Sequence, residues 1–183
     1  MTNFDELLEN NKRFAATDFR DHLPEIPFLP NKQVYILTCI DPRVDPAAIL
    51  GLRLGDAIVA RTVGGRANQS FLDDLAWISY LHETVTPGAD WFEMAVIHHT
   101  DCGSALMADD KLSRGFIQRG FQQTPLRATA VTDPATTVPI DVDKILHSPT
   151  ASGRIRVSGY SYDIATGRLT LVTPPRARAE QPL

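Results

Sequence analysis

Two short, almost unbroken apolar runs each end in metal-binding or nucleophilic side chains. Val34-Tyr35-Ile36-Leu37 leads through Thr38 to Cys39, and Met94-Ala95-Val96-Ile97 leads through His98 to His99-Thr100-Asp101-Cys102. Runs that are apolar at consecutive rather than alternate positions mark strands buried on both faces, as in a parallel sheet covered by helices. Open α/β folds carry their sites at the carboxyl edge of such a sheet. The pattern predicts an α/β fold, with a mostly parallel central sheet flanked by helices, in which Cys39, His99 and Cys102 emerge at one edge.

The rest of the chain supplies the other elements. Phe4 to Ala16 places Phe4, Leu7, Leu8 and Phe14 at helical spacing, with Asn3 as a cap and Glu6 three residues later. Pro24, Pro27 and Pro30 impose an extended connector from 23 to 30, whose Ile26, Phe28 and Leu29 are expected to pack down. Asp45-Pro46 is a helix start, a cap residue before a first-turn proline, leading into a short helix from Ala47 to Leu52. Ala57 to Ala60 is a further strand, ending at Arg61, and Ser70 begins an amphipathic helix through Leu72, Leu75, Ile78 and Leu81 to about Glu83. Another helix is expected from near Gly103 to Ile117, then a long loop from Gly120 to Pro139, rich in threonine and proline, and a short helix from Val142 to Leu146. Ile155–Tyr162 and Leu169–Val172, joined by the turn Ala165-Thr166-Gly167, form a terminal antiparallel pair, and residues 174–183 read as a flexible tail.

A chain of 183 residues with 43% hydrophobic composition buries one substantial core, which argues for one domain over 1–183. The formal net charge of -4 gives no general attraction to nucleic acid or anionic membrane, although Arg176-Ala177-Arg178 is locally basic. No stretch approaches the ~20 apolar residues that cross a bilayer. The start Met1-Thr2-Asn3-Phe4-Asp5 lacks the basic and apolar regions of a secretory signal, so a cytoplasmic protein is expected. The only two cysteines, Cys39 and Cys102, fit a reducing compartment and a metal better than they fit a disulfide, which remains the other use for them.

Two sulfurs and one imidazole make an incomplete zinc shell. A structural zinc takes a fourth protein ligand, whereas three ligands leave a position for water, whose pKa the metal lowers to roughly 7. Such a set points to hydrolysis or hydration. The bland alternative, two ordinary buried cysteines and a hydrogen-bonded core histidine, fits either cysteine alone. Joint placement at strand ends weighs against it, as does Cys102 preceding Gly103 at a helix start, where the dipole favours thiolate. Asp41 lies two residues beyond Cys39, within reach of a proton on metal-bound water, and Arg43 would orient its carboxylate and keep it ionised. Taken alone, that pair is a loop ion pair of small energetic consequence.

Other motifs carry less. Gly64-Gly65-Arg66 lacks both the G-x-G-x-x-G and G-K-[ST] patterns and reads as turn geometry beside the metal. Alternation sends His98 and His99 to opposite faces, and His99 has the better spacing from Cys102. His22, His82 and His147 are isolated, with surface or capping roles, and Asp101 reads as a helix cap.

Cys39-Ile40-Asp41-Pro42-Arg43 resembles the C-x-D-x-R signature of the beta class carbonic anhydrases, and His99-Thr100-Asp101-Cys102-Gly103 resembles their H-x-x-C-G segment, at a fitting separation. Gly55-Asp56-Ala57 leading through Arg61 to Gly64-Gly65, and Gly159 to Leu169 with Tyr162-Asp163 before Thr166-Gly167, extend the resemblance over most of 34–172. It implies zinc (Zn2+) held by Cys39, His99 and Cys102, with Asp41 and Arg43 as the catalytic dyad and reversible CO2 hydration to bicarbonate as the reaction. It also implies a closed form in which Asp41 takes the fourth position, released as pH rises, and a homodimer or higher assembly; the apolar stripe of the first helix either embraces the neighbour or packs within its own subunit. Arg61-Thr62 departs from the family's Arg-Asn, and Pro30 stands near a bicarbonate-binding glutamine of larger members. The short chain resembles the compact branch that includes carbonyl sulfide and carbon disulfide hydrolases, so release of hydrogen sulfide on the same site is the alternative reaction. A non-catalytic zinc or redox-sensing protein is a third reading.

Overall fold

The computed structural model describes residues 2, 4–26, 28–89 and 93–178. Five strands pair into one sheet: Val34–Cys39 (β1), Ala57–Thr62 (β2), Glu93–His99 (β3), Arg156–Asp163 (β4) and Arg168–Ala177 (β5). Their order is β2-β1-β3-β4-β5. The first four are parallel, and β5 returns antiparallel to β4. This is the expected α/β architecture, and it sends the carboxyl ends of β1 and β3 out side by side, with Leu37 paired to Val96.

The helices are Asp5–Ala15 (α1), Pro46–Leu50 (α2), Gln69–Val85 (α3), Asp110–Ile117 (α4), Gln123–Ala128 (α5) and Pro134–Leu146 (α6). Strand alternation divides the apolar runs between two layers. Tyr35, Leu37, Met94 and Val96 face α3 and α6, where Phe71, Leu75, Val138, Val142 and Ile145 complete the main core. Ile36 and Ile97 face the other side, against Val44 and Tyr162. Each such fully buried side chain contributes about 1.5–3 kcal/mol relative to exposure, so the strands that carry the site residues also carry the core.

Several elements differ from the sequence reading. The expected loop from Gly120 to Pro139 contains α5 and the N-terminal part of α6, and the latter absorbs the short helix expected at 142–146. Asp133 accepts from the Ala135 amide at 2.9 Å with Pro134 at the first helical position, the same start as Asp45-Pro46. Threonines and an internal proline, Pro139, lower its helix propensity, but Val138, Val142, Ile145 and Leu146 are buried against the sheet and packing prevails. That packing is so close that a Cβ on Gly159 of β4 would lie 2.2 Å from Val138 Cγ1. The helix expected from Gly103 to Ile117 breaks at Asp109. Gly103–Ala108 is a 3-10 turn, and Asp109 then caps α4 by accepting from the Leu112 amide at 2.8 Å.

The tail is ordered further than expected, since β5 runs to Ala177. Arg176 reaches Asp143 at 2.6 Å, and Arg178 bonds the Ser148 and Ala151 carbonyls, so the basic cluster pins the strand to the end of α6. Residues 179–183 lie outside the described residues, as does Asn3, the expected cap of α1. Asn68, not Ser70, starts α3 by accepting from the Phe71 amide. In the connector, Phe28 and Leu29 are half-buried while Ile26 is exposed. His82 is buried in the last turns of α3 and bonds Thr86, rather than lying on the surface. His147 caps α6 through the Asp143 carbonyl. α1 buries none of its residues, leaving Phe4, Leu7, Leu8 and Phe14 exposed.

Candidate metal centre

At the carboxyl edge of β1 and β3, the ligand atoms of Cys39, His99 and Cys102 all lie within 4.8 Å of one another. The thiols are free, and their sulfurs stand 3.8 Å apart, far beyond the ~2.05 Å of a disulfide. All three side chains are buried, and Val131 closes over the two cysteines. His99 Nδ1 bonds the Thr100 carbonyl at 2.9 Å. That bond assigns the ring proton to Nδ1 and leaves Nε2 with a lone pair. Nε2 is buried without a hydrogen-bond partner. A buried acceptor without a donor is costly in a folded protein, and here it stands beside two sulfurs. This donor set, two soft sulfurs and an imidazole, is one that suits zinc.

The electrostatics agree with a cation site. Cys102 is held down to about 4, by the hydrogen bond from Cys39 against the effect of burial, with Ser104 adding to it. The Cys39 thiol is pushed up, first by sharing that bond and then by burial. Burial works to lower the His99 pKa, but the adjacent Cys102 sulfur outweighs it and raises it.

Asp41 and Arg43 flank the cluster. Arg43 donates to Asp41 Oδ1 through its backbone amide and Nε, at 2.9 and 3.0 Å, and to Oδ2 through Nη2 at 2.8 Å. These bonds hold the Asp41 carboxyl down to about 2. Asp41 Oδ2 lies 3.9 Å from His99 Nε2, so the carboxylate faces the cluster itself. A cleft of about 470 Å³ opens here, lined by Arg43, His99 and Cys102 and walled by Ala105, Leu106 and Val131.

Supports that sequence reasoning missed surround the site. Arg61 donates to the carbonyls of Cys39, Asp41 and Val44, and so clamps the loop that carries Asp41 and Arg43. Thr62 bonds the Arg66 carbonyl at 2.8 Å. Asp101 does not cap a helix; it adopts a left-handed φ of 51° and accepts Arg43 Nη1 at 2.7 Å. Its place in the motif, one residue before Cys102, was the available signal. His98 points to the opposite face from His99 and bonds Thr137, the Gly65 carbonyl and Asp141, which also holds Arg66. With α6 unread, Asp141 could not be found from the sequence. Gly65 sits where β1 and β3 diverge, at a φ of 69°, and a Cβ there would lie 3.0 Å from the Ile97 carbonyl and 3.1 Å from the Cys39 amide. The glycine pair is turn geometry against the strand that carries Cys39.

The carbonic anhydrase family pattern matches residues 34–133, which contain the whole cluster. Beta-carbonic anhydrase 1 of Mycobacterium tuberculosis is 32% identical over 178 residues, covering 95% of this chain and 100% of that protein. The chain belongs to the beta-carbonic anhydrase family. A carbonic anhydrase from Streptococcus mutans shares the fold with a TM-score of 0.72 and 30% identity, over 94% of this chain and 99% of that one. The family also connects this chain to a carbon disulfide hydrolase of Acidianus sp., 23% identical over 163 residues and 76% of each chain. Among the described residues, no helix is long and apolar enough to cross a membrane.

Proposed function

We propose that this chain is a zinc-dependent carbonic anhydrase catalysing CO2 + H2O ⇌ HCO3⁻ + H⁺, with Cys39, His99 and Cys102 as metal ligands and Asp41 and Arg43 as the catalytic pair. The observation that carries this reading is the buried, unpartnered Nε2 of His99, set between two free sulfurs and the Asp41 carboxylate. The chemistry a bound zinc supplies is the acidification of water to a pKa of roughly 7. Asp41 would accept a hydrogen bond from the reacting water through Oδ2, the oxygen that faces His99, and so orient it. Arg43 keeps that carboxylate ionised and fixes its plane through the paired Nε and Nη2 bonds. Ala105, Leu106 and Val131 give an uncharged linear substrate an apolar wall to lie against.

The second reading keeps every residue and changes the substrate to carbonyl sulfide or carbon disulfide, with release of hydrogen sulfide. The carbon disulfide hydrolase relative and the apolar wall of the cleft favour it. A non-catalytic zinc or redox role gives the Asp41–Arg43 pair nothing to do. The exposed apolar stripe of α1 supports a homodimer or larger homo-oligomer in which that helix finds its cover on a neighbour. Two free thiols support a reducing, cytoplasmic setting.

The test is metal analysis of freshly reduced protein together with CO2 hydration and carbonyl sulfide hydrolysis assays. One zinc per chain with rapid CO2 turnover is expected, and negligible CO2 turnover beside sulfide release would replace the first reading with the second. Asp41→Asn is expected to retain zinc and lose roughly 10–100-fold in turnover, the range for a lost positioning contact beside a metal. Unchanged turnover in that variant would assign the orientation of the water to another group.

A further inference from the structure

We infer that Ser104 is a positioning residue of the metal centre, whose hydroxyl donates to Cys102 Sγ and sets how much charge that sulfur passes to a metal ion. The inference rests on the reading of Cys102 as a ligand.

Ser104 Oγ lies 3.1 Å from Cys102 Sγ, and the serine is buried. The same oxygen accepts the Val131 amide at 3.1 Å. A hydroxyl has one proton and two acceptor positions. With one acceptor position filled by Val131 and no proton on a metal-bound thiolate, the serine proton goes to sulfur. The amide that fixes this orientation is itself held in place. Arg66 grips the Ala128 and Ala130 carbonyls, the second immediately before Val131, and is anchored at 2.6 Å to the buried Asp141. Room for the hydroxyl comes from Gly64, where a Cβ would lie 2.8 Å from Ser104 Oγ and 2.8 Å from the Thr129 carbonyl.

The two sulfurs are therefore served differently. Cys39 is served by backbone groups of Asp41 and Gly64, which no side-chain change removes, whereas Cys102, besides the backbone of Ser104, has a side-chain donor that can be deleted. A hydrogen bond withdraws charge from a thiolate and weakens its donation to the metal, so partners of this kind tune the ion as well as orient its ligands.

Cobalt(II) substituted for zinc reads this directly. Wild-type protein should show a sulfur-to-cobalt charge-transfer band in the near ultraviolet, and Ser104→Ala should move it to longer wavelength, because the sulfur becomes more electron-rich. Ser104→Thr, which retains a hydroxyl, should return the band toward its wild-type position. If Ser104→Ala does not fold, Ser104→Gly, which likewise lacks the hydroxyl, should move the band the same way. A band at the wild-type wavelength in whichever of these two variants folds would overturn the role of Ser104. Absence of any sulfur charge-transfer band in wild-type protein would instead remove Cys39 and Cys102 as ligands, the reading beneath it.

Discussion

Arg43 and Asp101, 58 positions apart, meet at 2.7 Å through Nη1 and Oδ2 at the mouth of the cleft. Nη2 adds a bond to the Asp101 carbonyl at 2.8 Å. With Asp41 taking Nε and Nη2 on the other side, the guanidinium is held between two acids and cannot rotate without breaking both sets of contacts. A loop ion pair is thereby converted into a fixed fork, and the orientation of Asp41 becomes a property of the β3 end as much as of β1.

Arg43→Lys should for this reason behave as a disruptive change despite conserving charge. One ammonium cannot reproduce a planar fork shared by two carboxylates. Turnover is expected to fall roughly 10–100-fold, the range for lost positioning contacts near a metal, with zinc content unchanged. Asp101→Ala should cost less, because the Asp101 side chain is 79% exposed and its pair is screened by water. Steady-state CO2 hydration with metal analysis on the same samples checks both.

Removal of the metal should be visible as stability. Any ligand that binds only the folded state adds about 2.7 kcal/mol at a free concentration 100 times its dissociation constant. A chelator should lower the thermal midpoint of the wild type, and Cys102→Ser should already sit near that lower value and respond little. A Cys102→Ser protein that retains full zinc content would remove Cys102 from the ligand set.

The sheet and the cluster were legible because both are written in local pattern. Consecutive apolar residues before Cys39 and His99 give parallel strands, and one sheet then brings three ligands together without any long-range information. What escaped was tertiary. α6 has threonines and Pro139 where helices favour other residues, and burial of Val138, Val142 and Ile145 carries the helix on past its Asp133-Pro134 start. Asp101 was read from its place before a helix start, where capping is the common use, whereas a left-handed backbone turns it toward Arg43. Ser104 carries no sequence signal at all, since its importance depends on Val131 arriving from a segment read as loop.

Gly65→Ala tests the close approach of the glycine turn to β1. The added methyl would meet the Ile97 carbonyl and the Cys39 amide at 3.0 and 3.1 Å, in a left-handed conformation that L residues avoid. Strain of about 1–3 kcal/mol is expected from the backbone alone. Because the displaced atoms belong to the strands carrying Cys39 and His99, metal affinity should fall along with the denaturation midpoint. A midpoint loss with unchanged affinity would show the turn to be a matter of folding only.

Asp141 gives the pH dependence its clearest sign. Burial works to raise its pKa, but the hydrogen bonds from His98 and Arg66 outweigh that effect and leave it below its ordinary 3.8. A carboxyl depressed in the folded state contributes stability above its unfolded pKa and loses it as pH falls through the folded value, because the unfolded chain binds the proton more readily. Asp141→Asn should therefore lower stability near neutral pH, by roughly 1–3 kcal/mol, since it weakens a charge-assisted pair between a buried acid and the half-buried Arg66. The deficit relative to wild type should shrink as pH is taken below about 4, where the wild-type carboxylate loses its own advantage. Urea midpoints of both proteins from pH 7 to pH 3 measure this directly. A deficit that stays constant across that range would mean that Asp141 is not ionised in the folded protein and that its bonds to Arg66 and His98 act as neutral contacts.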